Sequence, residues 1–184
     1  MIYYTIVRRG EDRAAKDRAR AEGLALLLPL FDAPAGAPLM KDEAGRPFLP
    51  DHPSLDVGVS HADGLTVVAV GTTRFGVDLE CTARMRDPLG VARRFFTEGE
   101  QAEVHATADP ITAATVVWTR KEAFGKREGR GLAATLGECT AARTDGLFRT
   151  RGLTVSGKQF WLTFCADEEA IFVASDSEHG VILT

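Results

Sequence analysis

Phe75-Gly76-Val77-Asp78-Leu79-Glu80 passes through a glycine and then alternates apolar and acidic side chains, the pattern of a strand. Residues i and i+2 share one face of a strand. Asp78 and Glu80 therefore present two carboxylates together, while Leu79 points back into a core. Adjacent carboxylates repel each other, and a cation between them relieves the repulsion. Hard oxygen donors suit Mg²⁺. The alternative is an exposed strand end carrying two solvated acids.

Working outward, Val57 to Ser60 and Leu65 to Val70 are two further β-rich runs separated by turn residues. Before them, Ile2 to Val7 reads as a strand and Glu11 to Leu28 as a helix. Pro34 to Pro53 has no sustained period and reads as a long loop. Beyond Glu80 the composition turns helical. Asp87-Pro88 and Asp109-Pro110 each place an N-cap before a proline at the first helical position. Thr97 and Glu100 have capping-box spacing. The third helix runs from Pro110 to about Arg127, where Gly129 and Gly131 end it. The C-terminal part is β-rich, with turns at Asp145-Gly146 and Gly157-Lys158 and buried strands at Phe160 to Cys165 and Ala170 to Ser175. The fold class is α+β. The two halves echo each other as two pseudo-symmetric lobes, each a small antiparallel sheet packed with helix. They divide as 1–83 and 84–184.

The chain has 184 residues, 45% of them hydrophobic and 26% charged, enough for one large domain or two small ones with a real core. Its net charge of −4 argues against a nucleic-acid binder relying on bulk positive charge. The charge is unevenly spread. Arg8 to Arg20 and Arg120 to Arg130 are basic islands, and the acids crowd the C-terminal end. These islands suit either a local anion site or two solvated helix faces. Cys81, Cys139 and Cys165 are odd in number and lack CxxC spacing, which suits reduced thiols in a cytosol. The N-terminus lacks a signal-peptide pattern, and the longest apolar run, Leu24 to Leu30, is too short to span a bilayer. The expectation is a cytoplasmic protein with no membrane segment.

The third helix carries Trp118-Thr119-Arg120-Lys121-Glu122-Ala123-Phe124-Gly125-Lys126. At about 100° per residue, Ile111, Ala114, Val117, Trp118 and Phe124 form one apolar arc. Glu122 falls at its edge, with Lys126 one turn further on. Lys121 falls inside the arc, so its head either snorkels out or reaches an anion. Two weaker features complete the set. Ser60-His61 ends a short strand, and Gly45-Arg46-Pro47 is a rigid loop that aims Arg46 one way.

In this order and spacing the pieces resemble the surfactin-type 4′-phosphopantetheinyl transferases. The matching residues are Gly45-Arg46-Pro47 with Pro50, Ser60-His61, Gly76-Val77-Asp78-Leu79-Glu80, Arg94-Phe95-Phe96 with Glu100, Trp118 with Lys121-Glu122 and Lys126, and Glu128-Gly129 with Gly131-Leu132. The resemblance implies two pseudo-symmetric lobes with coenzyme A between them. It implies transfer of the 4′-phosphopantetheine arm to a serine of an apo acyl or peptidyl carrier protein, releasing 3′,5′-ADP. Carried over residue by residue, Asp78, Glu80 and Glu122 hold Mg²⁺, Glu122 is the general base, and Lys126 stabilises the leaving group. Arg46, Ser60, His61, Asp78, Lys121 and Lys126 are implied coenzyme A contacts. Two departures touch the nucleotide end. Ala62 stands where Ser or Thr is usual, and the N-terminal segment is short, leaving Arg18 and Arg20 as candidates for the 3′-phosphate. Arg46 replaces the usual lysine and brings a planar fork. Arg84, Met85 and Arg86, followed by Arg93 and Arg94, mix basic and apolar character and are the expected carrier docking face. A monomer is expected. The competing reading is a non-catalytic module that binds coenzyme A or a carrier; a metal-dependent phosphohydrolase needs more metal ligands than the sequence offers.

Overall fold

The computed structural model describes residues 1–138, 147–173 and 182–183. Its elements run β1 (Ile2–Arg8), α1 (Arg13–Leu27), β2 (Met40–Lys41), β3 (Pro47–Phe48), β4 (Asp56–Ala62), β5 (Leu65–Gly71), β6 (Gly76–Cys81), α2 (Pro88–Phe95), α3 (Glu98–His105), α4 (Pro110–Glu128), α5 (Leu132–Thr135), β7 (Phe148–Val155), β8 (Lys158–Cys165), β9 (Ala170–Phe172) and β10 (Ile182–Leu183). The helix starts follow the sequence signals. Asp87 and Asp109 accept hydrogen bonds from the backbone N–H groups of Gly90 and Thr112, and Thr97 with Glu100 forms the capping box. Gly129 closes α4 at φ 71°, a left-handed cap that glycine adopts at least cost.

The strands form two sheets, ordered β2-β3-β4-β5-β1-β9 and β10-β7-β8-β6. Alternation along β5 explains the layering. Val68 and Val70 face Leu24, Leu27 and Leu28 at the end of α1. Val67 and Ala69 face the other way, onto Phe75, Val77, Leu79, Phe160, Leu162 and Phe164 of the second sheet's side. Helix α4 covers the far face of the second sheet, where Thr119 of α4 and Thr163 of β8 share a hydroxyl hydrogen bond of 2.9 Å. The order is thus helix, sheet, sheet, helix.

Three sequence expectations change. The sheets exchange strands across the sequence midpoint: β6 pairs with β8, and β9 returns to lie parallel to β1. The loop expected over Pro34 to Pro53 contains β2 and β3, which extend the first sheet at its edge. Ile111 is 42% exposed, so it does not share the buried arc of Ala114 and Val117. Cys81 and Cys165 are free and buried. Cys139, the Asp145-Gly146 turn and Asp176 and Glu178 of the acidic end lie outside the described residues. Among the described residues, no helix is long and apolar enough to cross a membrane.

Candidate functional site

The face of β6 opposite Val77 and Leu79 is turned toward α4. A Cβ on Gly76 would lie 1.8 Å from the Ala123 carbonyl oxygen, so only glycine lets the helix backbone come down onto the strand. That approach brings Asp78 of β6 to Lys126 of α4. The Lys126 ammonium donates to Asp78 Oδ1 at 2.6 Å, to the Val77 carbonyl at 3.1 Å and to Ser60 Oγ at 3.3 Å. Ser60 donates to the same Asp78 oxygen at 2.9 Å and accepts from the Leu79 N–H at 3.1 Å. Asp78 is 3% exposed, and its Oδ2 is buried with no hydrogen-bond partner.

Three carboxylates share this space electrostatically. Burial pushes the Asp78 carboxyl upward, with Lys126 opposing. Burial raises Glu80 to about 7, and the Asp78 and Glu122 charges add to it. Glu122 is raised by burial and then by Asp78. Mutual repulsion among desolvated acids marks a place for positive charge. The Lys126 ammonium supplies part of it. Among the described residues, no three His, Cys, Asp or Glu side chains gather closely enough to hold a metal ion as they stand. The donor chemistry nonetheless fits a hard cation: Asp78 has an orphaned buried carboxylate oxygen, and its charge helps raise the pKa of two further carboxylates.

Three cavities lie around this region, two bordered by Glu80 or Lys126 and one on the His61 side. One of about 640 Å³ is lined by Arg13, Lys16, Asp17 and Arg20 of α1, by Lys41, and by His61. Helical spacing of three and four residues puts the α1 cations on one face. The basic island from Arg8 to Arg20 is therefore split: Arg20 lines the cavity, whereas Arg18 is exposed and does not. Arg13, Lys16 and Lys41 were not singled out by the motifs; the island was the only signal for Arg13 and Lys16, and Lys41 had none. His61 hydrogen-bonds Thr66 Oγ1 through Nδ1 at 2.8 Å. Burial, then Lys16, Lys126 and Arg20, lowers its pKa to about 4. The neutral imidazole thus favours the fold above about pH 6.5, and that contribution is lost as pH falls through about 4. An NMR titration of the histidine ring protons should find His61 still neutral at pH 5.5, and Lys16→Ala should move its midpoint upward. A His61 midpoint near 6.5 would contradict the cationic character of this cavity.

A second cavity, about 270 Å³, is lined by Glu80, Arg84, Met85, Arg86, Val91 and Trp118 among others. Arg84 and Arg86 are exposed, and Met85 packs on the helical cluster of α2 and α4. Trp118 stacks edge-on against Phe95 at 5.7 Å, a packing role at the cavity wall. The third, about 190 Å³, lies between Gly45, Arg46, Val59 and the α4 end at Lys126 and Gly129.

Two expected contacts are corrected. Lys121 does not reach the cleft: it is fully buried, paired with Glu100 at 2.7 Å, and donates to the carbonyls of Leu136 and Glu138 at 2.8 and 2.9 Å. All three ammonium hydrogens are committed inside the protein, so no phosphate contact is left to it. Arg46 borders its cavity, but its guanidinium bonds Asp56 and the carbonyls of Phe75 and Lys126. Asp78, Lys126 and Ser60 are in direct contact, Glu80 and Glu122 feel the Asp78 charge, and His61 sits apart on the cavity beside α1.

Comparison with known proteins agrees with these motifs. Residues 74–174 match the family model of the 4′-phosphopantetheinyl transferase superfamily. A 4′-phosphopantetheinyl transferase of Bacillus subtilis is 32% identical over 106 residues, 56% of this chain and 46% of the relative. The 4′-phosphopantetheinyl transferase Sfp of Bacillus subtilis (strain 168) is 33% identical over 96 residues, 51% of this chain and 42% of the relative. An L-aminoadipate-semialdehyde dehydrogenase-phosphopantetheinyl transferase of Eremothecium gossypii is 31% identical over 144 residues, 71% of this chain and 52% of the relative. The chain spans about half the length of the curated relatives it matches. With a family match over more than half its residues, covering both the β6 acids and the α4 motif, the chain belongs to the 4′-phosphopantetheinyl transferase superfamily.

Proposed function

We propose that the protein transfers the 4′-phosphopantetheine arm of coenzyme A to a serine hydroxyl of an apo acyl or peptidyl carrier protein and releases 3′,5′-ADP. The observation that carries this reading is the meeting of Asp78 and Lys126 beside two carboxylates of raised pKa, with a basic cavity on the His61 side. The serine oxygen attacks the β-phosphorus of the pyrophosphate, and the bond from that phosphorus to the bridging oxygen breaks, the electron pair leaving with 3′,5′-ADP. Glu122 accepts the serine proton. Its raised pKa brings it nearer to the operating pH, where a general base works best. Lys126 stabilises the charge that develops on the departing phosphate. Ser60 holds the Asp78 carboxylate in place, and His61 with Lys16, Arg20 and Lys41 receives the phosphates of the nucleotide end. Asp78, Glu80 and Glu122 are the residues that would hold Mg²⁺, which when bound neutralises the pyrophosphate. Residues 1–83 and 84–184 supply the two lobes flanking this cleft, with β6 and β9 exchanged between their sheets. The protein works as a cytoplasmic monomer without nucleic acid or membrane.

Arg84, Met85 and Arg86 form the docking face for the carrier, opening onto the cavity that contains Glu80. Carrier proteins are acidic, so charge reversal here should weaken docking. The Arg84→Glu, Arg86→Glu double variant is expected to raise the KM for apo carrier about tenfold with the KM for coenzyme A unchanged. An unaltered carrier KM removes the docking assignment. The function itself is tested by mass spectrometry on a panel of apo carriers with coenzyme A and Mg²⁺. A phosphopantetheine adduct on at least one carrier is expected; none on any carrier overturns the reading.

A further inference from the structure

We propose that Arg46 and Asp56 are a positioning pair that fixes the Lys126 ammonium in register with Asp78, and that they act on the transfer step rather than on the binding of coenzyme A. This rests on the functional reading of Lys126 given above.

Arg46 meets α4 at its C-terminal end. The last four carbonyls of a helix have no intrahelical partner. Lys126 O is one of these, two residues before the final helical residue Glu128. A guanidinium is suited to it, because it supplies a donor and a positive charge where the helix dipole is negative. Arg46 Nη1 donates to this carbonyl. Arg74 Nε donates to the next one, Arg127 O.

Arg46 is held from both directions. Its own backbone is pinned in a turn: the Arg46 N–H donates to Asp42 Oδ1 at 2.8 Å, and Gly45 takes φ 82°. Its guanidinium is pinned by Asp56 of β4, with Nη2 at 2.7 Å from Oδ1 and 2.5 Å from Oδ2. The pair also brackets Phe75, the residue before β6. Arg46 Nη2 donates to the Phe75 carbonyl at 3.1 Å, and Asp56 Oδ2 accepts from the Phe75 N–H at 2.9 Å. Both side chains are less than one-fifth exposed, so solvent does little to loosen the contact.

The consequence is geometric. Asp56 and Arg46 grip the root of β6, which carries Asp78, and the backbone of Lys126, which meets Asp78. Gly76 and the Ala123 carbonyl are in contact between these two points. The Arg46 guanidinium therefore joins the Gly76–Ala123 contact in setting the separation of the Asp78 carboxylate from the Lys126 main chain. A lysine at position 46 would bring one ammonium centre in place of a planar fork, so its donors could not span Asp56, Phe75 and Lys126 in the same geometry. Misplacement of a reacting group by about 1 Å can cost on the order of a hundredfold in rate.

The test is steady-state transfer to an apo carrier by Asp56→Asn, Arg46→Gln and Arg46→Lys, each also combined with Lys126→Gln, with thermal unfolding followed in parallel. Asp56→Asn and Arg46→Gln are each expected to lower kcat about tenfold or more while the KM for coenzyme A stays within about twofold. Arg46→Lys should recover only part of the loss. Combined with Lys126→Gln, neither substitution should lower kcat further, because both act through that lysine. Should Arg46→Gln fail to fold, Asp56→Asn and Arg46→Lys carry the same comparison. The proposal is overturned if Arg46→Gln raises the KM while Asp56→Asn behaves as wild type, which would make Arg46 a ligand contact. It is also overturned if the losses multiply in the Lys126→Gln background, as a general structural defect would. No transfer by the wild-type protein sinks the functional reading and this proposal together; wild-type transfer with an unaffected Asp56→Asn sinks this proposal alone.

Discussion

Replacing Glu122 by Gln is expected to lower phosphopantetheine transfer at least about a hundredfold, the usual scale for loss of a general base. Gln keeps the size of the side chain, so packing on α4 is preserved. What it loses is the ability to accept the serine proton and one hard donor for a cation. The electrostatics add a second expectation that points the other way. Glu122 is half-buried, and its pKa is raised by burial and by the nearby Asp78 charge. Its ionised form therefore works against the fold at neutral pH, and the neutral amide removes that penalty. Thermal unfolding of Glu122→Gln in the presence of a chelator should occur at or above the wild-type temperature. Lost activity with undiminished stability is the signature of a group kept for chemistry. A transfer rate within about threefold of wild type would remove Glu122 from the reaction.

The reading of β6 from sequence succeeded because it rests on a local rule. Alternation over six residues decides which side chains share a face, and no distant contact can change that parity. The cap signals at Asp87, Thr97 and Asp109 are local in the same sense. Failures came where the partner is far away in sequence. The Lys121 ammonium was legible as anomalous on its helix but not as the mate of Glu100, twenty-one residues earlier and on another helix. Arg46 looked like a free cation because Asp56 and the Lys126 carbonyl only approach it after the sheets stack. Lys41 belongs to a short strand in what read as a loop, so nothing tied it to Lys16 and Arg20 across the cavity. The exchange of β6 and β9 between sheets escaped for the same reason: pairing partners are not encoded in the period of a strand.

The buried pair between α4 and α3 gives the largest expected loss of stability. Lys121→Met should cost about 3–5 kcal/mol in urea unfolding, the range for breaking a buried ion pair from one side. Both side chains are fully buried, and the ammonium sits 2.7 Å from Glu100 Oε2. Met matches the length of lysine and fills the space, so a cavity does not account for the loss. The cost is electrostatic: the Glu100 carboxylate would lose the ammonium facing it, and the Leu136 and Glu138 carbonyls would lose their donor. Glu100 also accepts from the Thr97 N–H and hydroxyl at the start of α3, so the damage would spread from α4 to that cap. Adding Glu100→Gln to Lys121→Met makes the argument sharp. The amide oxygen can still accept from Thr97, and no charge remains to be desolvated, so the double variant should be more stable than Lys121→Met alone. An exposed pair provides the contrast. Arg151→Gln, at the surface opposite Glu169, should cost no more than about 1 kcal/mol. If Lys121→Met costs as little as Arg151→Gln, burial does not govern the energy of this pair, and the position of Lys121 inside the apolar arc has no structural explanation in Glu100.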